Sequence, residues 1–383
     1  MKSLSVGIFS VGTLAGAALA QAPGFWLTGL APSATQGQVR ALNLDGSVAA
    51  GFTSAPLIAY YQPGFTWTPQ GGRYDFGLEP GMPPTSAALG LNSDGSVVAG
   101  GMTSGQVGRA FRRVGSGPLQ DLGVLPNESH SIAYGVSGDG NTVVGASEHA
   151  VQGGVSGQAF RWTQGGGMQG LGYLRPSGYS SQAYGISRDG STIVGTSQSG
   201  SAFDPLEAFR WTQSSGMQLL PLLPGAQVNE AEARAVNATG TVIVGNSKNS
   251  TAFTHAVRWT GSVVEDLAVA MPLHHSHAFA VSDTGSVIGG TYQDGATLVA
   301  FVWTPTLGMT DLSSFLLMHG IGTPANYRLE SVRAISGDGL TFGGYGVNLT
   351  TNIREGFVAT IPSPGTVVAL LLAPFAAARR RRG

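Results

Sequence analysis

Three recurring or clustered sets of side chains hold most of the chemistry this 383-residue sequence offers. Carboxylates recur at Asp45, Asp94, Asp139, Asp189 and Asp338, each directly before a glycine. Such a series could ring a calcium ion. Asp-Gly is also what a turn demands, because the Asp side chain caps nearby backbone and Gly tolerates a left-handed conformation. Two further copies read Thr239-Gly240 and Thr284-Gly285, and no D-x-D-x-D-G loop occurs, so turn chemistry is the reading adopted. Arginines recur at Arg112, Arg161, Arg210 and Arg258 at one strand position. Guanidiniums there could bind acidic sugars, but a repeated position first suggests a structural pair with a neighbouring repeat's carboxylate. His274, His275 and His277 form a histidine cluster with no Asp or Glu before Asp283 to complete a metal site, and they are expected on a solvated loop. No nucleophile elbow, P-loop, H-E-x-x-H or paired catalytic carboxylates can be located. Catalytic, cofactor and metal residues are therefore assigned as none, and no cofactor is expected.

These side chains sit on a repeat whose best copy is Ala183-Tyr-Gly-Ile-Ser-Arg-Asp-Gly-Ser-Thr-Ile-Val-Gly195. It reads as a tight β-hairpin, with Asp189-Gly190 as a two-residue turn and Thr192–Val194 as the β-branched return strand. The hairpin is expected to mark the outer register of each sheet. Its turn glycine recurs at Gly46, Gly95, Gly140, Gly190, Gly240, Gly285 and Gly339, at spacings of 45 to 54 residues, the range of propeller blades. A second strand follows, Ala159-Phe-Arg-Trp-Thr163 and its relatives at Ala208, Ala256 and Ala300, with alternation placing Phe160 and Trp162 on one face. A last element reads Asp121-Leu-Gly-Val-Leu-Pro126, Gly170-Leu-Gly-Tyr-Leu174 or Asp311-Leu-Ser-Ser314 and supplies a fourth strand. The seventh repeat lacks it. Leu27-Thr-Gly-Leu-Ala-Pro32 carries the missing pattern at the other end, and Pro32 to Gly46 is the same 14 residues as Pro126 to Gly140. The expected fold is an all-β, seven-bladed β-propeller of four-stranded blades over residues 21–361, closed by an N-terminal strand that completes the last blade and removes open edges. Glycine at 59 residues and charged residues at 11% fit many short strands joined by turns.

The ends point to export. Lys2 and the apolar run Leu4–Leu19 lead to Ala18-Leu-Ala20, a small-x-small signal cleavage site that sets residues 1–20 apart as a signal peptide for signal peptidase. Cysteine is absent, so neither thiol chemistry nor disulfides contribute. Without the signal and the terminal arginines, 15 basic residues face 21 acidic ones, a body of about −6 with no basic cluster to hold nucleic acid. At the C-terminus, Pro362-Ser363-Pro364 precedes the uncharged run Thr366–Ala378 and then Arg379, Arg380, Arg381 and Arg382. An apolar segment with a basic cap is oriented with its arginines in the cytoplasm, but 13 residues is short for a span. The order of Pro-x-Pro, apolar stretch and arginines over 362–383 resembles the PEP-CTERM sorting signal, with Ser363 where that family has Glu. The resemblance implies processing by an exosortase-type membrane protease and delivery to the cell surface or extracellular matrix, with membrane contact only through this tail. A plain C-terminal anchor is the alternative.

The repeats resemble the HAF repeat, or probable extracellular repeat, proteins of bacteria. The resemblance rests on Ala133–Gly140, Ala159–Thr163 and Gly167-Met-Gln169 with Leu171-Gly172, spans roughly 25–360, and implies an extracellular location without an established reaction. The expected function is an exported, non-catalytic surface or matrix protein binding glycan or protein through propeller loops. The alternative is an extracellular polysaccharide hydrolase or lyase with its groups in the central channel. An apolar or glycine-lined channel would favour the binding protein, and convergent Asp, Glu, His or Arg the enzyme.

Overall fold

The computed structural model describes residues 22–32, 34–55, 58–76, 85–104, 107–151, 154–201, 203–271 and 273–363. Ala18, Ala20, Pro364 and Arg379–Arg382 lie outside them, whereas Pro362 and Ser363 follow the last strand without regular structure. Among the described residues the chain is built from four-stranded antiparallel units. In a typical unit Gly178–Ile186, Thr192–Ser199, Glu207–Thr212 and Gly216–Leu219 pair in sequence order. The first strand of each unit packs against the first three strands of the unit before it, and Gln36–Leu42 packs in the same way against the strands of residues 327–360. The result is an all-β scaffold of propeller type.

The turn at Asp189-Gly190 has a different geometry from the expected two-residue hairpin. A type I′ turn needs positive φ at both central residues, but only Gly190, at φ 75°, is left-handed there. The Gly190 N–H donates to the Ser187 carbonyl at 2.9 Å, and Ser187 and Thr192 close the loop around residues 188–191. The Asp189 carboxylate accepts from the Ser191 N–H at 3.0 Å, the backbone capping expected of Asp at a turn. The residue before the turn is equally constrained. Asn43, Asn92, Ser137, Ser187, Asn237, Ser282 and Ser336 are each at most 4% exposed. Each accepts, at 2.9–3.1 Å, the N–H of the residue that opens the return strand. A buried N–H without that oxygen would be orphaned.

The turns lie at the inner rim of the units, contrary to the expected outer position, because the hairpin joins the first and second strands and the first is innermost. There they bond to one another. Leu44 N–H donates to Ser93 O, Ser93 to Gly138 O, Gly138 to Arg188 O, Asp189 to Ala238 O, Asp283 to Gly337 O and Gly337 to Leu44 O, at 2.8–3.4 Å. The Asn237 Nδ2 bridges the remaining step to the Asp283 carbonyl at 3.1 Å.

Within a unit the first strand carries a bulge, as between Ala183 and Gly185. It drives the Gln182 carbonyl so close to Gly195 that a Cβ there would collide with it, which explains the Val-Gly ending of the repeat. The third strand is covered on both faces. Phe65, Phe111, Phe160, Phe209, Phe301 and Phe357 are fully buried on one, and Ala110, Ala159 and Ala256 on the other. The small alanines let a serine of the next unit reach their backbone: Ser131, Ser181 and Ser276 Oγ accept from the N–H groups of Ala110, Ala159 and Ala256 at 2.8–2.9 Å.

The fourth strands end where they were expected to begin. Gln120–Asp121, Gly167–Gly170 and Gly308–Asp311 are the strands, and the Leu-x-x-Leu that follows turns inward, Leu122 and Leu125 being 5% and 7% exposed. After Asp311 the apolar positions switch to helical spacing, and Leu312–Met318 is an α-helix burying Leu312, Phe315 and Leu316. The N-terminal strand is Gly24–Leu27, pairing with the strand Ile353–Thr360. Its register places Leu27 opposite Phe357, as Asp121 lies opposite Phe111 and Gly170 opposite Phe160. Phe25 stacks on Phe357 with centroids 5.7 Å apart, and Trp26 lies 6.1 Å from Trp67.

Ser187→Ala is expected to cost about 2 kcal/mol in urea unfolding, because it orphans the buried Thr192 N–H. Ser191→Ala, at an exposed loop position, is expected to cost much less. A Ser187→Ala midpoint equal to that of Ser191→Ala would show that the hub oxygen is dispensable.

Acid is expected to loosen the turns. Hydrogen bonds from the hydroxyl and N–H of Ser96 hold Asp94 below the usual carboxylate range, and those from Ser137 and Asn141 do the same for Asp139. At Asp45 and Asp189 burial pushes upward, but the hydrogen bonds outweigh it. A depressed folded pKa stabilises above the unfolded value, about 4, and that contribution disappears as pH falls through the folded value. Unfolding midpoints should therefore fall below pH 4, less steeply when these four aspartates are changed to Asn. An unchanged slope would contradict the assignment.

Candidate functional site

The hub bounds a central channel. At the turns it forms a cavity of about 130 Å3, lined by the aliphatic residue before each turn Ser or Asn, from Leu42 and Leu91 round to Val281 and Ile335, together with Asn92, Ser93, Arg188 and Asp283. Arg188 reaches across this cavity from one turn to two others. Its Nη2 lies 2.6 Å from Asp283 Oδ1, and its Nη1 donates to Ser93 Oγ at 2.6 Å. Gly138 and Gly337 make room for this bridge, since a Cβ on either would run into the Arg188 side chain.

The first strands also carry larger groups. Tyr134 and Tyr184 lie 5.3 Å apart, and Arg234 sits over the Tyr184 ring at 4.3 Å while pairing with Glu232. Arg333 lies over Phe279 at 3.8 Å, and Arg354, on the third strand of the last unit, lies over Tyr345 of its second strand at 4.7 Å. Glu330 is 5% exposed and is bridged by both Arg328 and Arg354. His277 stacks on Phe279. Burial, followed by the nearby Arg234 and other cations, lowers its pKa to about 4, so the ring is neutral at ordinary pH.

The histidine cluster diverges. His277 lies on the strand Ser276–Val281 rather than on the expected loop. His275 packs against Phe253 at 4.9 Å and accepts the Thr254 N–H at 3.2 Å. Among the described residues no group of three His, Asp or Glu is placed to hold a metal. A histidine pairing not anticipated from sequence is His255 with Asp266 at 2.8 Å; His255 is only 1% exposed. Between two units at the other end of the strands, a pocket of about 320 Å3 is lined by Met102, Ile132, His130, His149 and Glu148. Burial raises the Glu148 pKa, against a hydrogen bond from Gln182.

The four repeated arginines do not share one role. Arg112 donates from Nε to the Gly140 carbonyl of the next unit's turn at 2.9 Å. Arg258 pairs with Glu265 on the adjacent strand of its own unit, not a neighbour's carboxylate as expected, and covers Trp303 at 4.6 Å. Arg161 and Arg210 instead line open grooves. One, of about 680 Å3, runs from Arg161 past Ser191 and Thr192 to Arg210, Trp211 and Gln218. The other, about 760 Å3, continues from Arg210 and Gln218 to Leu219, Thr241 and Ser262. Trp211 is the exception among the tryptophans of this strand. Trp67, Trp162, Trp259 and Trp303 are 1–7% exposed, whereas Trp211 is only partly buried and faces the groove.

No family model matches the chain, and no curated protein matches it. Solved structures do. A prolyl endopeptidase structure aligns at 10% identity and TM-score 0.55, covering 86% of this chain and 51% of its own. An acylaminoacyl peptidase in complex with a chloromethyl ketone aligns at 8% identity and TM-score 0.54, covering 82% and 49%. A puromycin-hydrolyzing peptidase of Mycobacterium tuberculosis aligns at 14% identity and TM-score 0.50, covering 87% and 55%. The chain thus spans about half the length of these enzymes, and at such identities the likeness extends to the fold alone, an all-β propeller-type scaffold.

Proposed function

We propose that the chain closes as a seven-bladed propeller and acts as an exported, non-catalytic protein of the cell surface or extracellular matrix, binding glycan or protein. Closure is supported by the Gly24–Leu27 strand, which takes the same register as the other fourth strands, and by the hub bonds that return from Gly337 to Leu44. The binding reading rests above all on the Arg188–Asp283 bridge. It lies in the hub cavity, where Arg188 and Asp283 pair with each other among the aliphatic residues that precede the turns, while the larger concave spaces lie between units at the surface. Export through signal peptidase, with cleavage after Ala20, and sorting by an exosortase-type protease at Pro362-Ser363-Pro364 follow from the sequence patterns at the two ends. Polysaccharide or a surface protein is the proposed partner, with membrane contact limited to the tail and no nucleic acid.

One observation favours the alternative of a polysaccharide hydrolase or lyase. Glu232, Arg234, His277 and Arg333 gather on the first strands of neighbouring units, Arg234 pairing with Glu232 and both arginines acting on His277. Most of these groups are already engaged, Arg234 by Glu232 and Tyr184 and Arg333 by Phe279. If this cluster were catalytic, Glu232→Gln or His277→Ala would abolish polysaccharide turnover by the intact protein.

Two measurements test the proposal. A chain truncated after Ile361 should appear in the medium while the intact chain stays with the surface or matrix fraction; equal retention would remove the sorting role. A double-mutant cycle with Arg188→Ala and Asp283→Ala should show coupling of about 0.5–1 kcal/mol in thermal unfolding, as for a partly exposed pair. Zero coupling would mean that the bridge does not hold the hub.

A further inference from the structure

We infer that the trough running from Arg161 through Arg210 to Ser262 is a binding site for a uronate-containing polysaccharide. This inference rests on the reading of the protein as a binding module and names the ligand class. The two grooves share Arg210 and Gln218, which face each other across neighbouring strands, so they form one continuous depression over three successive units. Each groove is within the volume range of ligand sites.

The charge pattern is selective. The protein body carries an excess of acidic residues, yet no carboxylate lines either groove. Among the described residues neither Arg161 nor Arg210 has an ion-pair partner, and the Arg210 Nε is buried without any hydrogen-bond partner. A buried guanidinium N–H left unsatisfied is costly, and a planar carboxylate satisfies it with two parallel bonds. The equivalent arginines in the flanking units are not available in this way. Arg112 is engaged by Gly140 and Arg258 by Glu265.

The rest of the trough suits sugar rather than peptide or nucleic acid. Trp211 is only partly buried and lines the groove, where an indole can pack against the C–H face of a pyranose, and the neighbouring Ser214, Gln218 and Thr241 supply uncharged donors and acceptors for hydroxyl groups. Two arginines are too few to track a phosphate backbone. With Arg161 and Arg210 one repeat apart, a chain laid along the trough meets one cation in each of the first two of its three units.

The test titrates the full-length protein with an oligogalacturonate hexamer, a sulfated hexasaccharide of equal length and maltohexaose. The uronate is expected to bind, with affinity falling as salt rises. Arg161→Ala and Arg210→Ala should each weaken it about tenfold, the scale of a lost charge-assisted hydrogen bond. Arg210→Lys, which keeps the charge and loses the fork, should fall between. Arg112→Ala and Arg258→Ala should leave binding unchanged, and circular dichroism checks that each variant is folded. Equal binding of maltohexaose, binding unaffected at Arg161 and Arg210, or no binding to any of the three overturns the assignment. Tighter binding of the sulfated sugar would replace carboxylate by sulfate and also overturns it. Appearance of new reducing ends or unsaturated products would instead remove the non-catalytic reading while leaving the trough assigned.

Discussion

The interaction on which the rest of the structure depends is the hydrogen bond from the return-strand N–H to the buried Ser or Asn before each turn. Where the units converge these positions are buried, so a short side chain must supply the acceptor for the amide. With that oxygen in place the turn closes on its glycine, and the outward backbone groups of one turn are free to bond the next. The circle of turns then sets the position of every first strand. Through the serine-to-alanine contacts, it also sets how closely neighbouring units approach.

A repeat supplies equivalent positions, and departures from equivalence carry specific chemistry. The residue after the Ser or Asn varies freely, as Leu44, Ser93, Gly138, Arg188, Ala238, Asp283 and Gly337. Only because the ring brings non-adjacent turns together can Arg188 find Asp283. The arginine of the third strand behaves likewise. Whether it is consumed or open depends on its neighbours: Glu265 stands opposite Arg258, whereas Gln218 stands opposite Arg210.

Much of the architecture could be read from residues 183–195 and their relatives, because period-two alternation and the Asp-Gly turn are local rules. The orphan pattern at Leu27–Pro32 was readable for the same reason, as its spacing from Gly46 repeats that within the chain. The strand itself lies at Gly24–Leu27, since the Asp-Leu pattern marks where the chain leaves the sheet to bury its leucines. The turn's inner position was hidden because a hairpin reads identically whether its tip faces a hub or solvent. A missed signal was the invariant Ser or Asn before the turn, which alternation alone treats as an ordinary polar residue. The switch to helical spacing at Leu312, Phe315 and Leu316 was likewise available.

By itself the sequence determined the all-β class, the repeat, its turn chemistry and the buried Phe-x-Trp strand, because each follows from contacts between residues close along the chain. The tertiary structure alone decided which of the repeated arginines remain open, that Trp211 is partly uncovered, and that Arg188 and Asp283 bridge the channel. Those outcomes depend on residues 7 to 95 positions apart meeting across strands and units, and no local pattern encodes such distances.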